Sequence, residues 1–101
     1  MTLTKAGTVE EYAVHPLRAV EVNGKKVLVV KQGTSFFAIG DTCTHMGCSL
    51  SLGTAEGETV RCRCHGSVFN FRTGDLVKGP AKKPEPSWPV TVKNGEVFVD
   101  V

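Results

Sequence analysis

The chain has 101 residues, of which 41% are hydrophobic, and its 12 Lys and Arg against 10 Asp and Glu leave a net charge of +2. That length fits one domain, residues 1–101, with a core modest enough to profit from a metal or a disulfide. The mixed charge excludes a concentrated basic nucleic-acid surface. No run of about eighteen apolar residues offers a membrane span, and MTLTKAGTVEEY lacks the apolar core of a secretory signal, so a soluble, cytoplasmic monomer is expected.

In chain order, Val9 to Tyr12 are a candidate for one helical turn, and no segment shows a convincing amphipathic helix. Asn23-Gly24 marks a hairpin, the strongest short-range signal of that kind. Val27-Leu28-Val29-Val30 is an apolar run that a strand buries on both faces. Ser35 to Ile39 follow through Gly33 as another strand, and shorter strands are predicted around Val60 and from Phe69 to Phe71, with Thr73-Gly74 as a turn. Pro80, Pro84, Pro86 and Pro89 punctuate an ordered loop. Pro89 to Val92, a turn at Asn94-Gly95, and Val97, Val99 and Val101 alternating with Phe98 and Asp100 give a second hairpin of period two. The pattern predicts an all-β chain of small antiparallel sheets, with no linker and no internal repeat.

All four cysteines and two of the three histidines fall in two short stretches, CTHMGCSL from Cys43 and CRCHGS from Cys62. Cys43, His45, Cys62 and His65 form the pattern C-x-H-x16-C-x-x-H, and thiolate with imidazole suits zinc, copper or an iron–sulfur cluster. A Cys2His2 zinc finger needs another ligand order and a helix for its histidines. A four-cysteine zinc site would need Cys62 and Cys64 to ligate across one residue, tighter than usual. Cys43 and Cys48 match the first spacing of a plant-type ferredoxin, but the third cysteine comes far too late. A 2Fe–2S centre with two thiolates and two imidazoles fits best. Two alternatives use the same residues: a two-disulfide staple with bystander histidines, and zinc in the same ligands. His15, before Pro16, reads as an ordinary turn histidine.

Cys43-Thr44-His45 with Gly47-Cys48, and Cys62-Arg63-Cys64-His65-Gly66-Ser67, resemble the two cluster-binding loops of Rieske proteins. Gly79-Pro80-Ala81 resembles the proline loop that packs beside the cluster in that family. The resemblance covers nearly the whole chain. It implies a Rieske-like fold, one 2Fe–2S cluster, Cys43 and Cys62 on the buried iron, and His45 and His65 on the outer iron. It also implies a disulfide between Cys48 and Cys64, a pair found in the branch that includes quinol-oxidising complexes and usually lacking in oxygenase ferredoxins. Ser67 stands where high-potential members place a serine donor to sulfur. Phe69 replaces their tyrosine, which donates a second bond, and Arg63 replaces a usual proline.

Two ferric ions, two sulfides and two thiolates carry no net charge, so reduction leaves such a site at −1. With no open coordination position and no nucleophile or acid–base constellation in the sequence, a one-electron carrier is expected rather than an enzyme. The expected partners are redox proteins, a reductase and a terminal oxygenase or oxidase. A small subunit of a larger respiratory-type complex and a redox-sensing module are the alternatives. Arg61, Arg63, Lys78, Lys82 and Lys83 lie in or near the loops and are candidates for a basic docking rim.

Overall fold

The computed structural model describes residues 3–44, 47–64 and 66–101. Three antiparallel sheets carry the described chain. The first orders β1 (Leu3–Thr8), β11 (Glu96–Asp100) and β10 (Val90–Lys93). The second orders β2 (Leu17–Val22), β3 (Lys25–Gln32), β4 (Ser35–Gly40) and β9 (Ser87–Trp88). The third, built from β5 (Thr54–Glu56), β6 (Thr59–Arg61), β7 (Val68–Asn70) and β8 (Leu76–Lys78), carries the cysteine loops. The expected all-β class is observed.

Both Asn-Gly hairpins form. Asn23 and Asn94 take φ of 50° and 51°, followed by Gly24 and Gly95 at 77° and 75°. Two successive positive φ values define the turn whose twist matches the flanking strands, and asparagine tolerates this region better than most residues. The first hairpin fixes a register of Val22 opposite Lys25 and Leu17 opposite Val30.

The apolar run in β3 explains how the three sheets stack. Val27 and Val29 point into one core with Tyr12, Val22, Ala38, Val97 and Val99. Leu28 and Val30 point into another with Ile39, Leu50, Val60, Phe69, Phe71 and both Cys43 and Cys62. The side-chain period of two sends alternate residues to opposite faces, so β3 is covered on both. The second core is therefore also the floor of the cysteine site.

Three elements depart from expectation. The turn at Val9 extends into a six-residue helix, α1 (Val9–Val14). Thr8 caps it: the Glu11 N–H donates to Thr8 Oγ1 (3.3 Å), and the Thr8 N–H donates to Glu11 Oε1 (2.9 Å). This reciprocal box satisfies two orphan donors, and buried Tyr12, donating to the Ala6 carbonyl at 2.8 Å, docks the helix. The proline segment is not wholly loop, because Ser87–Trp88 pair with Ile39 and Ala38 as β9. Leu3–Thr8, where the sequence lacks alternation, is recruited as a strand by β11, with a bulge between Lys5 and Gly7. No helix among the described residues is long and apolar enough to cross a membrane.

Candidate metal centre

The two cysteine loops close with the same backbone bonds. In the first, the Cys43 N–H donates to the Cys48 carbonyl (2.7 Å) and the Gly47 N–H to the Cys43 carbonyl (2.9 Å). In the second, the Cys62 N–H donates to the Ser67 carbonyl (2.7 Å) and the Gly66 N–H to the Cys62 carbonyl (3.1 Å). Gly47 and Gly66 take φ of 77° and 79°, a region that strains residues with a Cβ. Cys-x3-Gly-Cys and Cys-x3-Gly-Ser are thus one loop built twice, a repeat that sequence reading did not find. The shared Cys-x3-Gly spacing was its signal, masked because histidine falls third in one loop and fourth in the other.

Cys43 and Cys62 open the two loops at equivalent places, and each is only 2% exposed. They lie in the core that contains Leu50, Val60, Phe69 and Ala81. A thiolate in such surroundings requires a compensating cation, which a bound metal provides. Cys48 and Cys64 form a disulfide with Cα atoms 6.5 Å apart, joining one loop to the other. The sulfurs of Cys48, Cys62 and Cys64 lie within 4.8 Å of one another. A disulfide sulfur is no thiolate donor, so of these three only Cys62 is available to a metal. Two buried sulfurs at matching positions, in loops pinned by the remaining two cysteines, fit a metal–sulfur group. His45 and His65, expected as the other ligands, lie outside the described residues.

A third segment clamps both loops. Gly79 and Pro80 are exposed, Ala81 is buried, and the Gly79–Pro80 peptide is cis. The Ala81 N–H donates to Oγ of fully buried Ser67 at 3.0 Å, which leaves the serine proton free to be donated elsewhere. On the first loop, Thr44 Oγ1 donates to the Lys83 carbonyl at 2.7 Å, and the Thr44 N–H donates to the Glu85 carboxyl. Phe69 is wholly buried in the core shared with Cys43 and Cys62. Burial pushes the Glu85 carboxyl up to about 7; the Thr44 N–H opposes this and the charge of Asp41 adds to it. Sequence reasoning missed both Thr44 and Glu85. Their only signal was an acid held between Pro84 and Pro86.

The five basic candidates are all exposed. Arg61 and Arg63 line a cleft of 540 Å³ with Leu52, Cys62 and Cys64. Lys82 and Lys83 line another with Thr44 and Pro80. Lys78 lines neither.

The Rieske [2Fe-2S] domain family matches residues 2–93. Ferredoxin CarAc of Metapseudomonas resinovorans is 40% identical over 82 residues, 81% of this chain and 77% of that protein. The ferredoxin of carbazole 1,9a-dioxygenase from Nocardioides aromaticivorans IC177 superposes with a TM-score of 0.91 at 29% identity, covering 98% of this chain and 97% of that one. A structure described as a complex of reduced oxygenase and oxidized ferredoxin in carbazole 1,9a-dioxygenase matches with a TM-score of 0.88 at 36% identity, covering 96% and 91%. With two alike loops presenting buried cysteines above a shared core, the chain belongs to the Rieske [2Fe-2S] domain family and is a one-electron carrier with a single 2Fe–2S cluster.

Proposed function

We propose that the chain is the ferredoxin component of a Rieske oxygenase system, taking one electron from a reductase and delivering it to a terminal oxygenase. The observation that carries this reading is the pair of equivalent buried positions, Cys43 and Cys62, in a chain similar along its length to oxygenase ferredoxins. Cys43 and Cys62 would hold one iron of the cluster, and His45 and His65 the other. When bound, the cluster supplies a one-electron couple between a neutral and a −1 state. The chain's own residues set its surroundings. The core around Leu50, Val60 and Phe69 excludes water from the cysteine side. Ser67, already an acceptor from Ala81, keeps its own proton to donate, and a bond from it to a sulfur of the bound cluster would favour the reduced state; Phe69 adds no donor. Arg61 and Arg63 on one flank, and Lys82 and Lys83 on the other, steer an acidic partner toward the loops.

In this reading the protein carries electrons without a substrate site of its own, acts as one domain over residues 1–101, and works as a cytoplasmic monomer. The disulfide between Cys48 and Cys64 favours a second reading, a small subunit of a larger redox complex, because that bridge marks the quinol-oxidising branch. One experiment separates them. Protein reduced by a reductase should show the paramagnetic resonance of a mixed thiolate–imidazole cluster, and a terminal oxygenase should reoxidise it rapidly. Zinc without acid-labile sulfide would sink the ligand assignment. A normal spectrum with no reoxidation by any oxygenase, and co-purification with a membrane complex, would favour the second reading.

A further inference from the structure

Glu85 sits in a space that two glycines create. A Cβ on Gly40 would fall into the Glu85 carboxyl and lie 3.1 Å from the Pro86 ring. A Cβ on Gly74 would collide with the Glu85 carbonyl. The backbone is fixed as well, with the Glu85 N–H donating to the Gly74 carbonyl at 2.8 Å and the Gly40 N–H to the Pro86 carbonyl at 2.9 Å. The residue is 6% exposed. The carboxyl accepts the Thr44 N–H, while Oε2 is buried with no hydrogen-bond partner among the described residues. Thr44 lies between Cys43 and His45 in the chain. A glutamate is thus held at the back of the first ligand loop in a seat that disfavours its charge.

We propose that Glu85 positions the first ligand loop and takes up a proton when the cluster takes up an electron. This rests on the assignment of Cys43 and His45 as ligands in that loop. The electron comes from the reductase-class donor and adds one negative charge to the site. The proton comes from solvent and adds to a carboxylate oxygen, so the pair moves no net charge into the buried region. Oε2 is the open acceptor for it, and a cleft of 640 Å³ lined by Glu85, Thr42, Trp88, Lys25 and Lys26 supplies the route. The charged groups that face Glu85 are Asp41 at the end of β4, which is 1% exposed, and Lys25 and Lys26 on β3. Asp41 already gives one oxygen to the Ser51 N–H at 2.9 Å. Its charge raises proton affinity at Glu85, in the same sense as burial. Added negative charge at the cluster acts in that sense too.

The test compares the loaded wild-type protein with Glu85→Gln, which keeps an oxygen for the Thr44 N–H but cannot titrate. Reduction of the wild type should produce a protonated-carboxyl band in the reduced-minus-oxidised infrared spectrum, and the variant should lose it. The midpoint potential of the variant should be higher above pH 7 and should fall less steeply around pH 7, leaving only the dependence due to other groups. Glu85→Ala, which also removes the Thr44 bond, should lose its cluster faster than Glu85→Gln. An unchanged potential–pH profile in Glu85→Gln, with an intact cluster spectrum, would overturn the proposal. Absence of the carboxyl band in the wild type would do so without any variant. Failure of the ligand assignment would show instead as the wrong paramagnetic spectrum in the wild type.

Discussion

The two ends of the molecule are stabilised differently. The base, β1 to β4 with β10 and β11, uses strands of four to eight residues in long ladders, such as the six paired positions between β3 and β4. The tip, β5 to β8, uses strands of three residues each. Such short ladders are marginal alone. The tip adds to its side of the shared core, where Val60 and Phe69 are buried, a small set of single contacts: one disulfide, the Ala81–Ser67 bond, and the Thr44 bonds to Lys83 and Glu85. Burial distributed over many residues tolerates the loss of one, whereas a set of point contacts does not. The base should therefore lose stability by degrees, and the tip should lose function outright.

The largest effect should come from Cys62→Ser. It removes a buried sulfur from the site while leaving the base ladders intact. Iron and acid-labile sulfide should be absent from the purified variant, yet its amide spectrum should retain the dispersed signals of β1 to β4, β10 and β11. Loss of those signals too would mean that the base depends on the cluster, and the contrast would fail.

Next come two neighbours on β3. Leu28 packs in the core with Cys43 and Cys62, and Val29 packs in the opposite core with Val97 and Val99. Leu28→Ala should cost about 2–5 kcal/mol and hasten cluster loss. Val29→Ala should cost roughly 2 kcal/mol and leave the cluster spectrum unchanged. Denaturant unfolding, with absorption of the cluster and fluorescence of Trp88 followed together, reads both. Equal effects of the two on cluster lifetime would show that the two cores act as one.

Cys48→Ser opens a bridge spanning 16 positions of sequence. The chain-entropy model gives about 3 kcal/mol for a loop of this size. The loss should concentrate at the tip, as a shorter cluster lifetime and faster amide exchange in residues 43–50 and 62–67, with little change in the base. Alkylation gives an independent check, since neither Cys48 nor Cys64 should label in the native oxidised protein.

The base was largely legible in the sequence, and the tip only in its chemistry. Asn23-Gly24, Asn94-Gly95 and the alternation from Val97 to Asp100 are local signals, and each produced the hairpin it predicts. The all-buried Val27–Val30 run required cover on both faces and received it. Leu3–Thr8 carries no such pattern and becomes a strand because distant β11 pairs with it, whereas Thr54–Glu56 and Leu76–Lys78, equally without alternation, pair locally with β6 and β7. The helix at Val9 had a signal in Thr8 and Glu11, a capping box that the sequence reading did not use. At the site, cysteine spacing pointed to the loops, and the resemblance to Rieske proteins implied the disulfide. Of the clamp from residues 79–86, the resemblance pointed to Gly79-Pro80-Ala81, but its bonds were not readable, because Thr44 to Lys83 and Ser67 to Ala81 are contacts between residues 39 and 14 apart that use backbone atoms with no sequence signature.

The pH dependence of stability tests that clamp. The Glu85 carboxyl is raised from 4.5 to about 7 by burial, so between those values the native state holds a proton that the unfolded chain has released. Stability is then fully present below pH 4.5, falls as pH rises toward 7, and levels off above. The change due to this group is at most about 3 kcal/mol at 1.36 kcal/mol per pKa unit, less because the adjoining cleft admits water. Glu85→Gln should abolish that decline in urea unfolding midpoints measured across the window. A decline of equal size in the variant would assign it to another group.

The smallest effect belongs to the flanking charges, and it separates the two basic groups. All are exposed, so none contributes appreciably to folding, and reversing them should move the unfolding midpoint by less than about 0.5 kcal/mol. Their role is long-range. Lys82→Glu with Lys83→Glu alters one flank, beside Thr44 and Pro80, and Arg61→Glu with Arg63→Glu alters the other, beside Cys62 and Cys64. If a partner approaches over one flank, only that pair should slow electron transfer at low salt, and the difference should shrink as ionic strength shortens the Debye length from about 30 Å at 0.01 M to about 8 Å at 0.15 M. Equal slowing by both pairs would place the partner squarely over the tip. Rates indifferent to both reversals and to salt would remove steering from the mechanism and leave docking to the uncharged surface around Leu52 and Pro80.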